Sequence, residues 1–375
     1  MTGERSGSGT GSGSGSDAGS NVSRAEARTR TGEEASTPVW RVNVAVLGVG
    51  RIGRLHAENL AWRVPGARLV AVADLVRPAA EDCAARLGGQ AAGIRVATDA
   101  GDLCSDSGVD AIVIATATDT HARLIEECAR AGKHVFCEKP IDHDLERIDC
   151  ALAAVDEAGV ALQIGFNRRF DPNFRYLHER IAAGAIGDLH ILRITSRDPS
   201  PPPIDYVRVS GGIFLDMTIH DFDMARYLSG SEVRSVHAVG AVRVDPEIGA
   251  AGDYDTAVVT LEMKSGALVT IDNSRRAIYG YDQRIEAFGS AGMLWAENQT
   301  GRRTGLADAA GLHTPRPLDF FLERYGESFL AEMREFVTAV ACDTPPPVGG
   351  ADGRPPVVIA QAATQSARSG ARLRL

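Results

Sequence analysis

The sequence predicts an α/β protein: a doubly wound parallel sheet at the N-terminal end, then a second α/β domain whose strands run mostly antiparallel. Three observations carry that prediction. Between Arg41 and Phe166, short apolar runs alternate with helix-length segments, as in a parallel sheet buried on both faces. The first such run ends in the glycine loop GVGRIG, which opens a helix-like segment. Beyond Gly165 the pattern changes to longer alternating runs, two of them separated by the turn Lys264-Ser265-Gly266, which is hairpin patterning.

Composition limits what such a fold can do. The 375 residues are 44% hydrophobic, enough to bury a core in each of two domains. The cysteines Cys83, Cys104, Cys128, Cys137, Cys150 and Cys342 include no CxxC pair, so reduced thiols are expected rather than a zinc site or redox motif. A net charge of −9 offers no general basic surface for nucleic acid or anionic lipid. No apolar run reaches the roughly 18 residues of a membrane helix, and the start of the chain lacks a signal-peptide apolar core. A soluble cytoplasmic protein is the expectation. Residues 1–39, rich in Gly and Ser and then mixed in charge, have almost nothing to bury and are expected to be disordered.

From Arg41 the elements follow in order. Val42 to Gly48 is a buried strand, and RLHAENLAWRV is the helix after the glycine loop. In G-V-G-R-I-G, Gly48 makes the tight turn, Gly50 lets a pyrophosphate approach the backbone, and Gly53 lets helix pack on strand. Arg51 and Ile52 then lie at the helix N-terminus that faces the phosphates. The second strand, Leu69 to Ala73, ends in Asp74, about 20 residues past the loop, where an acid hydrogen-bonds an adenosine ribose. With only Leu75 and Val76 beside Asp74 and the nearest arginine at Arg77, NAD is expected over NADP.

AAEDCAARLGG reads as the next helix, DAIVIA (Asp110 to Ala115) as the third strand, and Asp119 to Gly132 as a helix with Asp119 as candidate N-cap. His134 to Cys137 is a further strand; a helix from about Leu145 to Gly159 and a strand from Ala161 to Phe166 close the first domain, set at 40–163. Ligands of such sheets lie outside the carboxyl ends of the strands. Thr116 and Thr118 fall at one such end, with hydroxyls for the nicotinamide half. Glu138-Lys139-Pro140 falls at another, and the proline disfavours the helical region for Lys139.

Residues 164–375 form the second domain. After GFNRRFDPNF a helix runs to Ala183, and strands are expected at Val233 to Val244, Ala257 to Met263, Leu268 to Asn273 and Arg284 to Phe288. Ala257, Val259, Leu261 and Met263 make one apolar face; Val258, Thr260 and Glu262 make a mixed face that can meet water or a partner. The end of the chain reads helical at Asp319 to Ala341 and Val357 to Ser369, with TPPPVGG as a loop between.

The stretch GGIFLDMTIHDFD, Gly211 to Asp223, carries the candidate chemistry. If it opens a single helix, Asp216 and His220 stand four residues apart on one face. An imidazole moves protons near neutrality and a carboxylate beside it stabilises its charged form. A surface ion pair is the plain alternative. A metal set of Asp216, His220, Asp221 and Asp223 is not expected, because alternating helix positions do not converge on one ion.

In order, GVGRIG, Asp74, CEKP, GFNRRFDP, SRDP, GGIFLDMTIHDFDM and RRAIYGYDQRIEAFG resemble the glucose-fructose oxidoreductase / inositol dehydrogenase / rhizopine-catabolism family of NAD(P)-dependent oxidoreductases, over nearly everything from Arg41 on. The resemblance implies a Rossmann domain, then an α/β domain with a large open sheet that mediates a homotetramer. It implies a catalytic set of Lys139, Asp216 and His220, in which His220 is the base, Lys139 stabilises charge, and Asp216 orients His220 or grips a hydroxyl. Substrate contacts are implied at Asn167, Arg168, Asp198 and Tyr279, with Tyr281 as rival to Tyr279, although Arg168 and Asp198 could instead pair with each other. The implied reaction is NAD-dependent oxidation of a secondary hydroxyl of a small polyol, a cyclitol such as myo-inositol, with a scyllo-inositol or sugar dehydrogenase and a non-catalytic dinucleotide sensor as alternatives.

Overall fold

The computed structural model describes residues 41–88 and 92–375, so the expectation for residues 1–39 lies outside the described residues. Six strands form the first sheet: β1 Val42–Leu47, β2 Ala67–Ala73, β3 Arg95–Ala97, β4 Ala111–Ile114, β5 His134–Glu138 and β6 Leu162–Gly165. They are all parallel, in the order β3-β2-β1-β4-β5-β6. The order reverses beside β1, which opens a ligand crevice at the carboxyl ends of β1 and β4. Sequence sets the ends of the intervening helices. Asp144 caps Leu145–Ala158 by accepting from the Glu146 backbone, and Gly159 closes that helix in the left-handed region at φ 64°. Asp119 does not cap a helix as expected; it lies in a 3-10 turn, Thr118–Thr120, ahead of the helix His121–Arg130.

The second sheet is built from β7 Leu189–Arg197, β8 Val233–Ala241, β9 Thr256–Met263, β10 Leu268–Ser274, β11 Asp282–Gly289 and β12 Gly292–Ala296. A small separate hairpin joins β13 Leu306–Asp308 and β14 Gly311–His313, and β15 Leu373–Arg374 adds an edge to the main sheet. The order is β12-β11-β7-β10-β9-β8-β15, antiparallel except for the β7–β10 pair. The fold class is therefore the one the patterning predicts. One of its interior strands, β7, was absent from the expected set, because only Leu192, Ile194 and Ser196 are buried in LHILRITSR and the apolar alternation is weak. The last helix also starts earlier than expected, at Gly350, since Pro355 and Pro356 lie inside it where a residue without an N–H is disfavoured.

One apolar core runs from one face of the first sheet (Leu47, Ile112, Ile114) into the second sheet (Val259, Leu261, Ile271). A second core covers the other face of the first sheet, and Leu330, Met333, Phe336 and Val337 of the helix Gly326–Cys342 complete it. The chain thus returns, after building the second sheet, to close the first.

Candidate active site

The glycine loop has the shape its residues require. Gly48 sits at φ +83°, and a Cβ there would lie 2.6 Å from the Ala115 carbonyl oxygen; one at Gly53 would lie 1.8 Å from the Gly48 carbonyl oxygen. A Cβ on Gly50 meets nothing within 4 Å, so the backbone beside it is open for a phosphate group to approach. The helix Arg51–Trp62 begins there without a side-chain cap, leaving its first N–H groups free for an anion. Arg51 lies over the Phe320 ring at 5.1 Å, and Ile52 packs at the core edge. Asp74 spans the loop: one carboxylate oxygen accepts from the Val49 backbone at 2.9 Å and the other from Val76 at 2.9 Å. Arg77 is paired with Glu81 and not with Asp74. At the end of β4, the Thr116 and Thr120 hydroxyls are 2.6 Å apart, and Thr118 opens the short turn beside them.

Glu138 and Lys139 end β5. Glu138 accepts from His56 Nε2 at 2.7 Å, with its side chain 14% exposed. Lys139 Nζ donates to the backbone carbonyl of Asp216 at 2.9 Å and lies 4.0 Å from Asp216 Oδ1. That carbonyl is free because the stretch Gly211 to Asp223 is not the single helix expected. Helix Ile213–Asp216 stops, and a second helix, Ile219–Ser229, starts after Thr218. The Thr218 hydroxyl bonds the Ile213 carbonyl and Asn273, while His220 N reaches Met217 O instead of the carbonyl four residues back. The kink hands the Asp216 carbonyl to Lys139.

The kink also separates the expected pair. Asp216 does not orient His220: its carboxylate accepts from Tyr206 Oη at 2.7 Å and from Arg275 at 3.1 Å. His220 makes no side-chain hydrogen bond among the described residues, its Nδ1 is buried without a partner, and Phe166 lies edge-on at 6.1 Å. Burial, then the charges of Lys139 and Arg168, hold the His220 imidazole well below its ordinary range. It is neutral at physiological pH, and so is a proton acceptor.

Arg168 does not pair with Asp198. It is 5% exposed and donates to Asp221 at 2.6 Å and to Ser196 at 3.0 Å, so its charge is spent inside the fold. Arg169 likewise holds Asp223 at 2.6 Å, so neither Asp221 nor Asp223 stands free as a metal ligand. Asp198 is within reach of the charges of Asp216, Arg275 and Arg168; burial and then the Asp216 charge push its carboxyl up to about 7. Tyr279 turns away: its hydroxyl donates to Asp282 at 2.6 Å and accepts from Arg197, and it is 40% exposed. Tyr281 is the buried one, close enough to Arg168, Asp198 and Asp221 to feel their charges. Asn167 is buried at the turn after β6. Sequence reasoning missed Tyr206 and Arg275, which hold Asp216. The first arginine of RRAIYGYDQ, Arg275, gives no spacing signal for this; only its 1% exposure beside a carboxylate reveals it.

Residues 42–166 match the family described as oxidoreductase family, NAD-binding Rossmann fold, and residues 174–295 match the GFO/IDH/MocA C-terminal domain. The chain is 50% identical to myo-inositol 2-dehydrogenase of Thermotoga maritima over 325 residues, 87% of this chain and 96% of that one. It is 48% identical to inositol 2-dehydrogenase of Rhizobium meliloti, again over 87% and 96%. Among solved structures, scyllo-inositol dehydrogenase of Lactobacillus casei with bound NAD(H) and scyllo-inositol superposes with a TM-score of 0.83 at 29% identity, over 89% of this chain and 99% of that one.

Proposed function

The chain belongs to the GFO/IDH/MocA oxidoreductases with their NAD-binding Rossmann fold, and on that premise we propose that it oxidises one ring hydroxyl of a cyclitol with NAD, most directly myo-inositol to its 2-keto form. The observation that carries the reading is the convergence of a neutral His220, the Lys139 ammonium and the carboxylates Asp198 and Asp216 at the carboxyl end of the first sheet. The glycine loop fits the cofactor, with open backbone at Gly50, an uncapped helix end, and Asp74 fixed at the ribose position. NAD, when bound, accepts a hydride from the carbon being oxidised.

The chain's own residues then divide the work. His220 takes the hydroxyl proton as that carbon loses its hydride, which its neutral state permits at cellular pH. Lys139, anchored on the Asp216 carbonyl, places a positive charge against the developing alkoxide. Asp216 is held by Tyr206 and Arg275, so its role is to fix Lys139 and offer an acceptor rather than to steer His220. Asp198, Asn167 and Tyr281 suit the other hydroxyls of a polyhydroxylated ring. Arg168 serves as the buried anchor for Asp221.

A scyllo-inositol specificity is the second reading, favoured by the likeness to the Lactobacillus casei enzyme. No helix among the described residues is long and apolar enough to cross a membrane, and we place the enzyme in the cytoplasm as a homotetramer. Support for assembly comes from the outer face of the second sheet, where Leu268, Ile191, Phe288 and Met293 are direct cross-strand neighbours, each 39–47% exposed. The test is a panel of cyclitols and aldoses with NAD, followed by reduced cofactor. Turnover of myo-inositol ahead of the scyllo isomer supports the first reading; activity confined to aldoses overturns it.

A further inference from the structure

Behind the crevice lies a cluster that the reaction as derived does not use. Ligand-type atoms of His56, Glu138 and Glu332 all lie within 4.8 Å of one another. They come from three elements: the helix after the glycine loop, the end of β5, and the returning helix Gly326–Cys342. His56 and Glu332 are 0% exposed, and among the described residues neither the Glu332 carboxylate oxygens nor His56 Nδ1 have a hydrogen-bond partner. Phe136 and Phe329 stand edge-on to the His56 ring at 5.2 and 5.9 Å, so the walls are apolar.

Two ionised carboxylates cannot share such a place without compensation. His56 Nε2 is already committed to Glu138 at 2.7 Å, and its Nδ1, in the neutral ring that this bond leaves, carries no proton to offer Glu332. A proton held between the two carboxylates removes one negative charge and gives Glu332 a partner. Resting on the reading of the crevice as an NAD site, we propose that Glu332 carries a proton that it donates to Glu138, and that Glu332 and His56 are positioning residues that set how Glu138 and Lys139 face the cofactor.

Burial and the Glu138 charge both push the Glu332 carboxyl well above the usual carboxylate range, in the same direction. Glu138 has little freedom otherwise. A Cβ on Gly165 would lie 2.9 Å from its Oε2, and Gln163 Nε2 fixes the Glu332 backbone carbonyl at 3.0 Å. Removing the donor leaves Glu138 with one partner and lets its backbone neighbour, Lys139, shift against the Asp216 carbonyl.

Two variants decide this. Glu332→Gln keeps the volume and an uncharged donor, so it should retain kcat/KM for NAD close to wild type. Glu332→Leu removes the donor and should lower kcat/KM by about 10²-fold, the cost of roughly an ångström of misplacement. The infrared difference spectrum of wild type against Glu332→Gln, recorded near neutral pH without substrate, should contain a carboxylic-acid carbonyl stretch. That spectrum reads the proton whether or not a cyclitol is oxidised, and it survives a Glu332→Leu protein that fails to fold. A spectrum with only carboxylate bands overturns the proposal. So does one equivalent of bound metal lost in Glu332→Gln, and so does a folded Glu332→Leu with wild-type kcat/KM.

Discussion

A base that works near neutrality must be uncharged there, and His220 meets that requirement through burial beside two cations rather than through a carboxylate partner. Its folded-state affinity for a proton is lowered, so it is neutral above a pKa that lies below the ordinary value of about 6.5. The acid limb of kcat should therefore fall below the imidazole range, as a pH–rate profile will show. His220→Ala should lower kcat by roughly 10²–10⁴-fold with NAD affinity barely changed. Asp198 behaves oppositely: its carboxyl, at about 7, ionises near neutrality. The pH profile of KM for the polyol should break near 7, and Asp198→Asn should remove that break while leaving the kcat limb in place. Arg168 tests the boundary between site and scaffold. Arg168→Met strands Asp221 in the core and should cost about 3–5 kcal/mol of stability in chemical denaturation, more than a substrate contact would. The motifs single out Lys139 and His220; the commitments of Arg168 and Tyr279 were not legible, since the ion pair to Asp221 joins a turn to a helix 53 residues on, and the bond from Tyr279 to Asp282, only three residues away, depends on how the loop before β11 turns.

Elements were legible wherever one physical signal dominated. The valine-rich runs of the first sheet are buried on both faces, so their sequence has no choice of register to hide. The helix break at Met217 was hidden because its cause is tertiary: the Thr218 hydroxyl is claimed by Asn273 of β10. Strand β7 was hidden because its outer face mixes Ile191 with Arg193 and Thr195, so apolar residues do not mark one side alone. The loop between β1 and its helix carries the element-scale prediction. Asp74 ties Val49 to Val76, and at the proposed ribose position its carboxylate would repel a 2′-phosphate. Asp74→Ser should narrow the preference for NAD over NADP, read as the ratio of kcat/KM for the two cofactors.

For the whole molecule, the exposed row Leu268, Ile191, Phe288 and Met293 is the feature with most at stake. Phe288→Glu should convert the proposed tetramer to smaller species in light scattering at micromolar concentration; a wild-type chain that is already monomeric there removes the idea. The return of the helix Gly326–Cys342 has a different reach, in the order of events on the ribosome. The strands of the first sheet emerge early, yet one of its faces waits for Leu330, Met333, Phe336 and Val337, which leave the tunnel more than 160 residues later. Until then Val44, Val46 and Val72 share that side with Ala57 and Leu60 of the helix Arg51–Trp62 and with Ala80, Cys83 and Ala84 of the helix Arg77–Arg86. A fragment ending near Phe166 lacks the cover of Leu330, Met333, Phe336 and Val337 and should aggregate where the full chain does not.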